Sequence, residues 1–282
     1  MVDRNPWLNF LSHAILVIGV AIVAFPLYLA FIASTHTADA IVQSPMPLLP
    51  GAHLWENYKA AMFGSGKLGS NTNVMHMMWV SFWTAMIITV GKIAISLLSA
   101  FAIVYFRFPF KMICFWAIFL TLMLPVEVRI LPTYKVVAEL GMLNSYAGLT
   151  LPLIASATAT FLFRQFFLTV PDELVEAARI DGAGAMRFFK DILVPLSKTS
   201  IAALFVIQFI YGWNQYLWPL LMTTSEDMYP VVIGIKRMLA GGEAAVDWNI
   251  VMATAILAML PPTLVVMLMQ KWFVKGLVDT EK

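Results

Sequence analysis

The sequence predicts an all-α membrane protein with six spanning helices and a helix-turn-helix on the cytoplasmic side. Of the 282 residues, 61% are hydrophobic and 12% are charged, whereas a soluble domain usually carries about 25% charged residues. The mean hydropathy of +0.82 leaves too little polar surface to face water, so lipid must solvate much of the chain. The apolar runs are too long and too uniform for the strands of a barrel, which favours helices.

Each predicted span contains the roughly 20 apolar residues that a helix needs to cross the hydrocarbon core of a bilayer. The six spans lie near residues 9–32, 77–104, 112–132, 147–168, 199–222 and 250–271. The first exceeds the roughly 7–15 apolar residues of a signal-peptide core, so we expect it to be retained. Small residues at Gly91 and at 155–160 predict places where neighbouring helices approach closely.

The Lys and Arg residues, apart from Lys92 inside the second span, are distributed unevenly between the two sides of the predicted membrane. With the N-terminus inside, eleven of them lie inside and six lie outside. Because positively charged loops stay in the cytoplasm, both termini are predicted to be cytoplasmic. The segment from about 33 to 76 is then a long outer loop, in which residues 55–58 can form a short surface helix.

Charge, cysteine and histidine content disfavour several kinds of site. The net charge of +2 gives no reason to expect nucleic-acid binding. Cys114 is the only cysteine, so an internal disulfide and a cysteine metal cluster are excluded. Three of the four histidines, His36, His53 and His76, lie in or beside the outer loop, and their spacing suits no metal motif.

The inside segment between the fourth and fifth spans, residues 169–195, has the sequence of a helix-turn-helix. Thr169 followed by Asp172 resembles a capping box, and Pro171 suits a first helical turn. Leu174, Ala177 and Ala178 share a face at helical spacing. Gly182 supplies a turn without a Cβ penalty.

A second short helix is predicted over about 185–193, ending at Pro195. Small residues in the first helix and at Gly182 would let a partner's backbone approach closely. From these residues alone, a rigid docking element and an ordinary amphipathic connector both remain open.

The order of residues in this segment resembles the EAA loop of ABC-importer permeases. The resemblance is carried by Glu176, Ala177, Ala178, Asp181, Gly182 and Ala183, with Phe189, Ile192 and Pro195 after them. It implies that the six residues from Glu176 to Ala183 named here belong to two coupling helices, which are seated in a cleft of a nucleotide-binding subunit. It also implies that this chain binds no cofactor and that ATP and Mg²⁺ bind the partner ATPase. No Gly-x-x-x-x-Gly-Lys-Ser/Thr motif occurs in the sequence.

The resemblance extends to the five-span core of type I importer permeases of the carbohydrate-uptake class. Its motifs lie at residues 121–129, 145–152 and 211–220. The implied organisation is a first span with an outer loop (1–76), a permease core (77–275) and a cytoplasmic tail (276–282). The combined motifs are closer still to permeases that import sn-glycerol-3-phosphate, which implies that solute; another sugar or polyol is the alternative.

The same resemblance implies a set of partners in the bacterial inner membrane. These are a second homologous permease, two ATPase subunits, a periplasmic solute-binding protein and membrane lipid. A stand-alone secondary transporter is less favoured, because the central parts of the predicted spans contain no Asp or Glu for ion coupling. A membrane enzyme is disfavoured because no cluster of His, Asp and Glu is visible at one membrane face.

Polar residues within the fifth span are candidates for the solute path. Asn214 and Gln215 lie between Trp213 and Tyr216, shortly before Pro219, which predicts a locally disturbed helix lining a cavity. Amides and aromatic rings can hydrogen-bond to a polyol and stack on it. Hydrogen bonding between helices is the alternative role.

Two cations and a further amide complete the candidates. Arg129 ends the third span on the outer side, where its guanidinium can bind a phosphate group through two hydrogen bonds; an ion pair with the second permease is the alternative. Gln208 lies about two turns before Gln215 and is expected to share its face. Lys92 pairs with an acid or lies close enough to water to stay charged, and the sequence leaves both open.

Overall fold

The computed structural model describes residues 6–64, 73–121, 124, 126–241 and 246–278, and every regular element in these ranges is helical. The helices are α1 (Pro6–Ser34), α2 (Ala38–Val42), α3 (Leu54–Phe63), α4 (Val74–Tyr105), α5 (Lys111–Leu120), α6 (Val126–Glu139), α7 (Tyr146–Thr150), α8 (Ala157–Phe167), α9 (Asp172–Ile180), α10 (Ala185–Phe188), α11 (Val194–Leu196), α12 (Lys198–Trp213), α13 (Leu217–Met222), α14 (Val231–Met238) and α15 (Trp248–Val278). The all-α prediction is therefore confirmed for the described ranges.

Three helices in the described part of the chain are long and apolar enough to cross a membrane singly. They are Trp7–Ser34, Val74–Tyr105 and Trp248–Trp272, which match the first, second and sixth predicted spans. Two bent pairs also qualify if each pair is one span. These are Tyr146–Leu153 with Ala157–Phe167, bent by 47°, and Ala185–Leu196 with Lys198–Trp213, bent by 72°.

The third and fourth predicted spans are interrupted. The sequence predicts one helix over 112–132, but α5 ends at Leu120 and α6 begins at Val126. In the fourth, α7 leads into a 3-10 turn containing Pro152, and α8 begins after Ser156, whose Oγ accepts a hydrogen bond from the Ala159 N–H at 3.3 Å. Proline lacks the N–H that a continuous helix needs, and the serine caps a new start.

The described residues fall into two compact units. The first is drawn from Met1–His76 and Gly234–Leu260, and the second from Met77–Ile233 and Pro261–Lys282. In the first unit, only 6% of the most apolar window of α1 is buried. Most of the large apolar side chains of α1 are therefore exposed.

A hydrogen-bond network organises the outer loop within the first unit. Asn57 of α3 is buried, and its Nδ2 donates to the backbone oxygens of Ser34 at 2.9 Å and His36 at 2.8 Å. The Nδ2 of Asn249, at the start of α15, donates to Asn57 Oδ1 at 2.8 Å. The short helix expected near residues 55–58 is thus α3, and it is fixed to the ends of α1 and α15.

Close helix contacts in the second unit occur where small residues predict them. A Cβ added to Gly91 of α4 would lie 2.7 Å from Ile154 Cγ2. The Oγ of Ser96 donates to the backbone oxygen of Ser156 at 3.3 Å. These contacts join α4 to the segment before α8, so the close approach predicted at Gly91 and 155–160 is confirmed.

An apolar cluster in the second unit positions α6. Ile130 and Val137 of α6 are buried with Leu149 of α7 and Trp218 of α13. The indole Nε1 of Trp218 donates to the backbone oxygen of Gly148 at 3.1 Å. This packing positions the helix that carries Arg129.

Candidate functional site

The first helix of the predicted helix-turn-helix is α9, and it begins without the expected capping box. Its N-cap is Pro171, which has no side-chain acceptor. Thr169 Oγ1 instead donates to the backbone oxygen of Phe166 at 2.7 Å. The capping-box prediction is wrong because Thr169 lies three residues after Phe166, within reach of the last carbonyls of α8. Asp172 and Glu173 still lie in the first turn, where they favour the helix dipole.

The turn after α9 depends on Gly182. Its φ is +71°, the left-handed region that only glycine adopts without penalty. The N–H of Ala183 donates to Ala178 O at 2.8 Å, and the N–H of Gly182 donates to Arg179 O at 3.0 Å. The turn predicted at this glycine is confirmed.

The second helix is longer than the sequence predicts. After α10 the chain passes through a π-helical turn, Phe189–Leu193, into α11, so Pro195 lies inside a helical segment. The expected end at Pro195 is wrong because the Val194 N–H already donates to Phe189 O, five residues back. A π-helical turn relaxes the i→i−4 ladder, and proline then fits the first turn of α11.

The helical hairpin, defined as α9, the Gly182 turn and α10, packs on the end of α4. Ala178 is 5% exposed and lies in an apolar cluster with Phe101 and Phe188. The rings of Phe101 and Phe189 are 4.8 Å apart, and those of Tyr105 and Phe188 are 5.3 Å apart. Ala178 therefore contacts its own chain. The three residues expected to share a face differ in burial, because Ala178 is buried whereas Leu174 and Ala177 are exposed.

The outer face of the helical hairpin carries most of the other resemblance residues. Glu176, Ala177, Asp181 and Gly182 are exposed, and Ala183 is half-buried. Ile180 is 85% exposed and Met186 is 63% exposed. Large apolar side chains on a surface that also carries charges are typical of a protein-contact site.

The fifth predicted span is broken where the sequence predicts a disturbance. α12 ends at Trp213, and α13 begins only at Leu217, with Asn214 and Gln215 between them. Trp213 is buried, whereas Asn214 and Tyr216 are exposed and Gln215 is half-buried. The exposed side-chain amide of Asn214 therefore lies at a helix break inside an apolar segment.

A cavity of about 560 Å³ in the second unit is here called the main cavity. It is lined by a group of polar residues that the sequence did not predict to lie together. Lys92 of α4, Arg129 of α6, and Gln208 and Tyr211 of α12 all line it. Lys92 Nζ donates to Gln208 Oε1 at 3.0 Å and lies 3.8 Å from the centroid of the Tyr211 ring. Among the described residues, the partners of Lys92 are thus an amide and an aromatic face, and no acid of the kind that was one expectation is seen there.

Arg129 does not line the same cavities as the other predicted path residues. It lines the main cavity and a smaller one of about 120 Å³, the second cavity, whereas residues 213–216 line neither. Gln208 lines the main cavity and Gln215 does not, so the shared face expected for these two glutamines is wrong. The helical period that would align them stops where α12 ends at Trp213. The three-residue spacing of Gln208 and Tyr211 was the available signal for this face.

The described part of the chain combines long apolar helices, a cavity lined by charged and polar as well as apolar side chains, and an exposed helical hairpin. Residues 92–279 match the family model described as binding-protein-dependent transport system inner membrane component. The chain therefore belongs to this family, whose members are permease subunits of importers, and it is a multi-pass inner-membrane protein.

Curated relatives are similar over the whole length. One, from Brucella melitensis, is named sn-glycerol-3-phosphate transport system permease protein UgpE and is 62% identical over 282 residues, covering 100% of both chains. Relatives of the same name from Agrobacterium fabrum and Rhizobium meliloti are 61% and 59% identical, again covering 100% of both chains. The family membership predicted from the EAA-loop residues is confirmed.

A solved structure has the same fold. It belongs to a bacterial ABC transporter involved in the import of the acidic polysaccharide alginate. The TM-score is 0.77 at 21% sequence identity, covering 97% of this chain and 99% of that chain. At that identity the match describes the fold alone.

Proposed function

We propose that this chain is one of two permease subunits of an ATP-driven, binding-protein-dependent importer for sn-glycerol-3-phosphate. The observation that carries the proposal is the 62% identity to a permease of that name over the whole of both chains. The solute-binding protein would deliver the solute at the periplasmic face, and the two permeases would enclose its path.

The proposed topology has six spans and both termini in the cytoplasm. The spans are α1, α4, α5 with α6, α7 with α8, α12 with α13, and α15. The excess of Lys and Arg on the inside, eleven against six, supports this orientation. Residues 1–76 then form the first span and outer loop, 77–275 the core, and 276–282 a cytoplasmic tail.

The helical hairpin is proposed to couple this chain to an ATPase subunit. Exposed Glu176, Ala177, Asp181 and Gly182 would enter a cleft of the ATPase, with Ile180 beside them. Ala178 and Ala183 would instead hold the hairpin on its own chain. ATP and Mg²⁺ would bind the ATPase, so this chain needs no cofactor.

The complete importer is proposed to contain this chain, a second homologous permease, two ATPase subunits and a periplasmic solute-binding protein. The exposed apolar surface of α1 supports contact with lipid and with the second permease, because only 6% of its most apolar window is buried by its own chain. The proposed solute path includes Arg129 and the helix break with Trp213, Asn214, Gln215 and Tyr216.

The solute is tested by competition in cells that express the whole importer. We expect unlabelled sn-glycerol-3-phosphate to suppress uptake of the labelled compound, and maltose to leave it unchanged. The matched control is a strain in which only this chain is deleted, and it should show no importer-dependent uptake. Competition by maltose and not by sn-glycerol-3-phosphate would leave the family standing and remove the proposed solute.

A further inference from the structure

We propose that Lys92 and Arg129 form a two-cation site that holds the phosphate group of the solute as it crosses this permease. The identity of the solute, a phosphate monoester, rests on the proposed function. The two side chains come from different helices, α4 and α6, and both line the main cavity and the second cavity. The two residues line the same cavities because of how the helices pack, which the sequence of either helix alone does not determine.

Lys92 places a positive charge in a buried position, where a charged group is energetically unfavourable. The residue is 6% exposed and lies inside a long apolar helix, and buried charges need compensation. Its Nζ is oriented by Gln208 Oε1 at 3.0 Å and by the Tyr211 ring at 3.8 Å. An amide oxygen and a ring face orient an ammonium group, but they bring no full negative charge. A bound anion would supply it.

Arg129, which is itself exposed, adds a second positive charge to the same two cavities. Of the described residues that line the two cavities, none is Asp or Glu. Two cations in one cavity repel each other, and the repulsion is stronger where water is partly excluded. A phosphate monoester carries a charge of about −1.5 to −2 at pH 7, so it offsets both cations, which a neutral sugar cannot do.

The two cations suit different parts of the same group. The planar guanidinium of Arg129 can bind two phosphate oxygens at once, and Lys92 contributes a compact charge with three donors. The hydroxyls of Ser99 and Thr158 line the main cavity and can hydrogen-bond to the hydroxyls of a glycerol moiety. The volume of about 560 Å³ lies within the range of roughly 300–1,000 Å³ found for small-molecule sites.

The test compares importers assembled with the wild-type chain, K92Q, R129Q, R129K or the control K135Q in proteoliposomes. Lys135 lies on α6 like Arg129, but its side chain is 78% exposed, with Nζ 3.8 Å from Glu139 Oε1. With saturating binding protein and sn-glycerol-3-phosphate, we expect uptake to fall about 10- to 100-fold in K92Q and R129Q, as for loss of one charged hydrogen bond. K135Q should match wild type, and R129K should exceed R129Q.

Phosphorus NMR separates the site from the transport cycle. The purified complex, without binding protein, is titrated with inorganic phosphate and with sn-glycerol-3-phosphate. We expect binding by wild type and K135Q, and weaker binding by K92Q and R129Q. Unchanged phosphate binding in those two variants overturns the site, whatever their uptake. Weaker binding with unchanged uptake overturns its place on the solute path. A wild-type complex that binds phosphate through these residues but imports no sn-glycerol-3-phosphate removes the proposed solute and keeps the site.

Discussion

Gly182 is the residue of the helical hairpin whose backbone most restricts the choice of side chain. Its φ of +71° costs an L-residue roughly 1–2 kcal/mol, and a β-branched residue is a strong outlier there. An added Cβ would meet no described atom within 4 Å, and the same holds for Gly184. Gly184 has a φ of −70°. It therefore has the same open space around it as Gly182, but its backbone conformation is one that any L-residue can adopt.

We predict that G182V lowers ATP-driven uptake severalfold while G184A stays close to wild type. The valine forces the turn to rearrange, which moves α9 relative to α10, whereas Gly184 already has a conformation that alanine adopts. Uptake is measured together with recovery of the assembled complex, so that failed assembly is recognised. Equal uptake by G182V and wild type would show that the turn has no part in coupling.

At the scale of elements, the helical hairpin has two faces with different tasks. The inner face, with Ala178 and Phe188, is buried against the end of α4. The outer face carries Ile180, which is 85% exposed, beside the charged Glu176 and Asp181. Burying one large apolar side chain against a partner contributes about 1.5–3 kcal/mol, so Ile180 is suited to anchor the ATPase.

We predict that I180D reduces recovery of the ATPase with this chain in purification from the membrane. A buried carboxylate without a partner would oppose docking, while the exposed position leaves the fold of the permease unaffected. I180V is the matched control and should retain the ATPase. Loss of the ATPase in both variants, or in neither, would contradict an anchoring role for this side chain.

The sequence predicts continuous elements better than it predicts their breaks and their neighbours. The apolar runs of α1, α4 and α15 are long enough to be recognised by length alone. The break between α5 and α6 was missed because residues 121–125, between the two helices, are mostly apolar and continue the run of α5 in the sequence. The meeting of Lys92 with Gln208, 116 residues apart in the chain, depends on how α4 and α12 pack, which no local pattern records. The turn at Gly182 was predictable because its cause is local.

At the scale of the molecule, α4 connects the two functional regions of the second unit. Its last turns, with Phe101 and Tyr105, support the helical hairpin, and Lys92 on the same helix lines the main cavity. Phe101 lies nine positions after Lys92 on this helix, which is about 14 Å along the axis. A stiff helix of this kind would carry a movement of the hairpin to the solute path.

We infer that this chain moves its solute only when a separate ATPase drives it. The most direct measurement is uptake of sn-glycerol-3-phosphate into proteoliposomes that contain the complete importer and external binding protein, with ATP or a non-hydrolysable analogue inside. We expect accumulation with ATP and none with the analogue, and no accumulation by this chain reconstituted alone. Accumulation without ATP hydrolysis, or by the isolated chain, would contradict it.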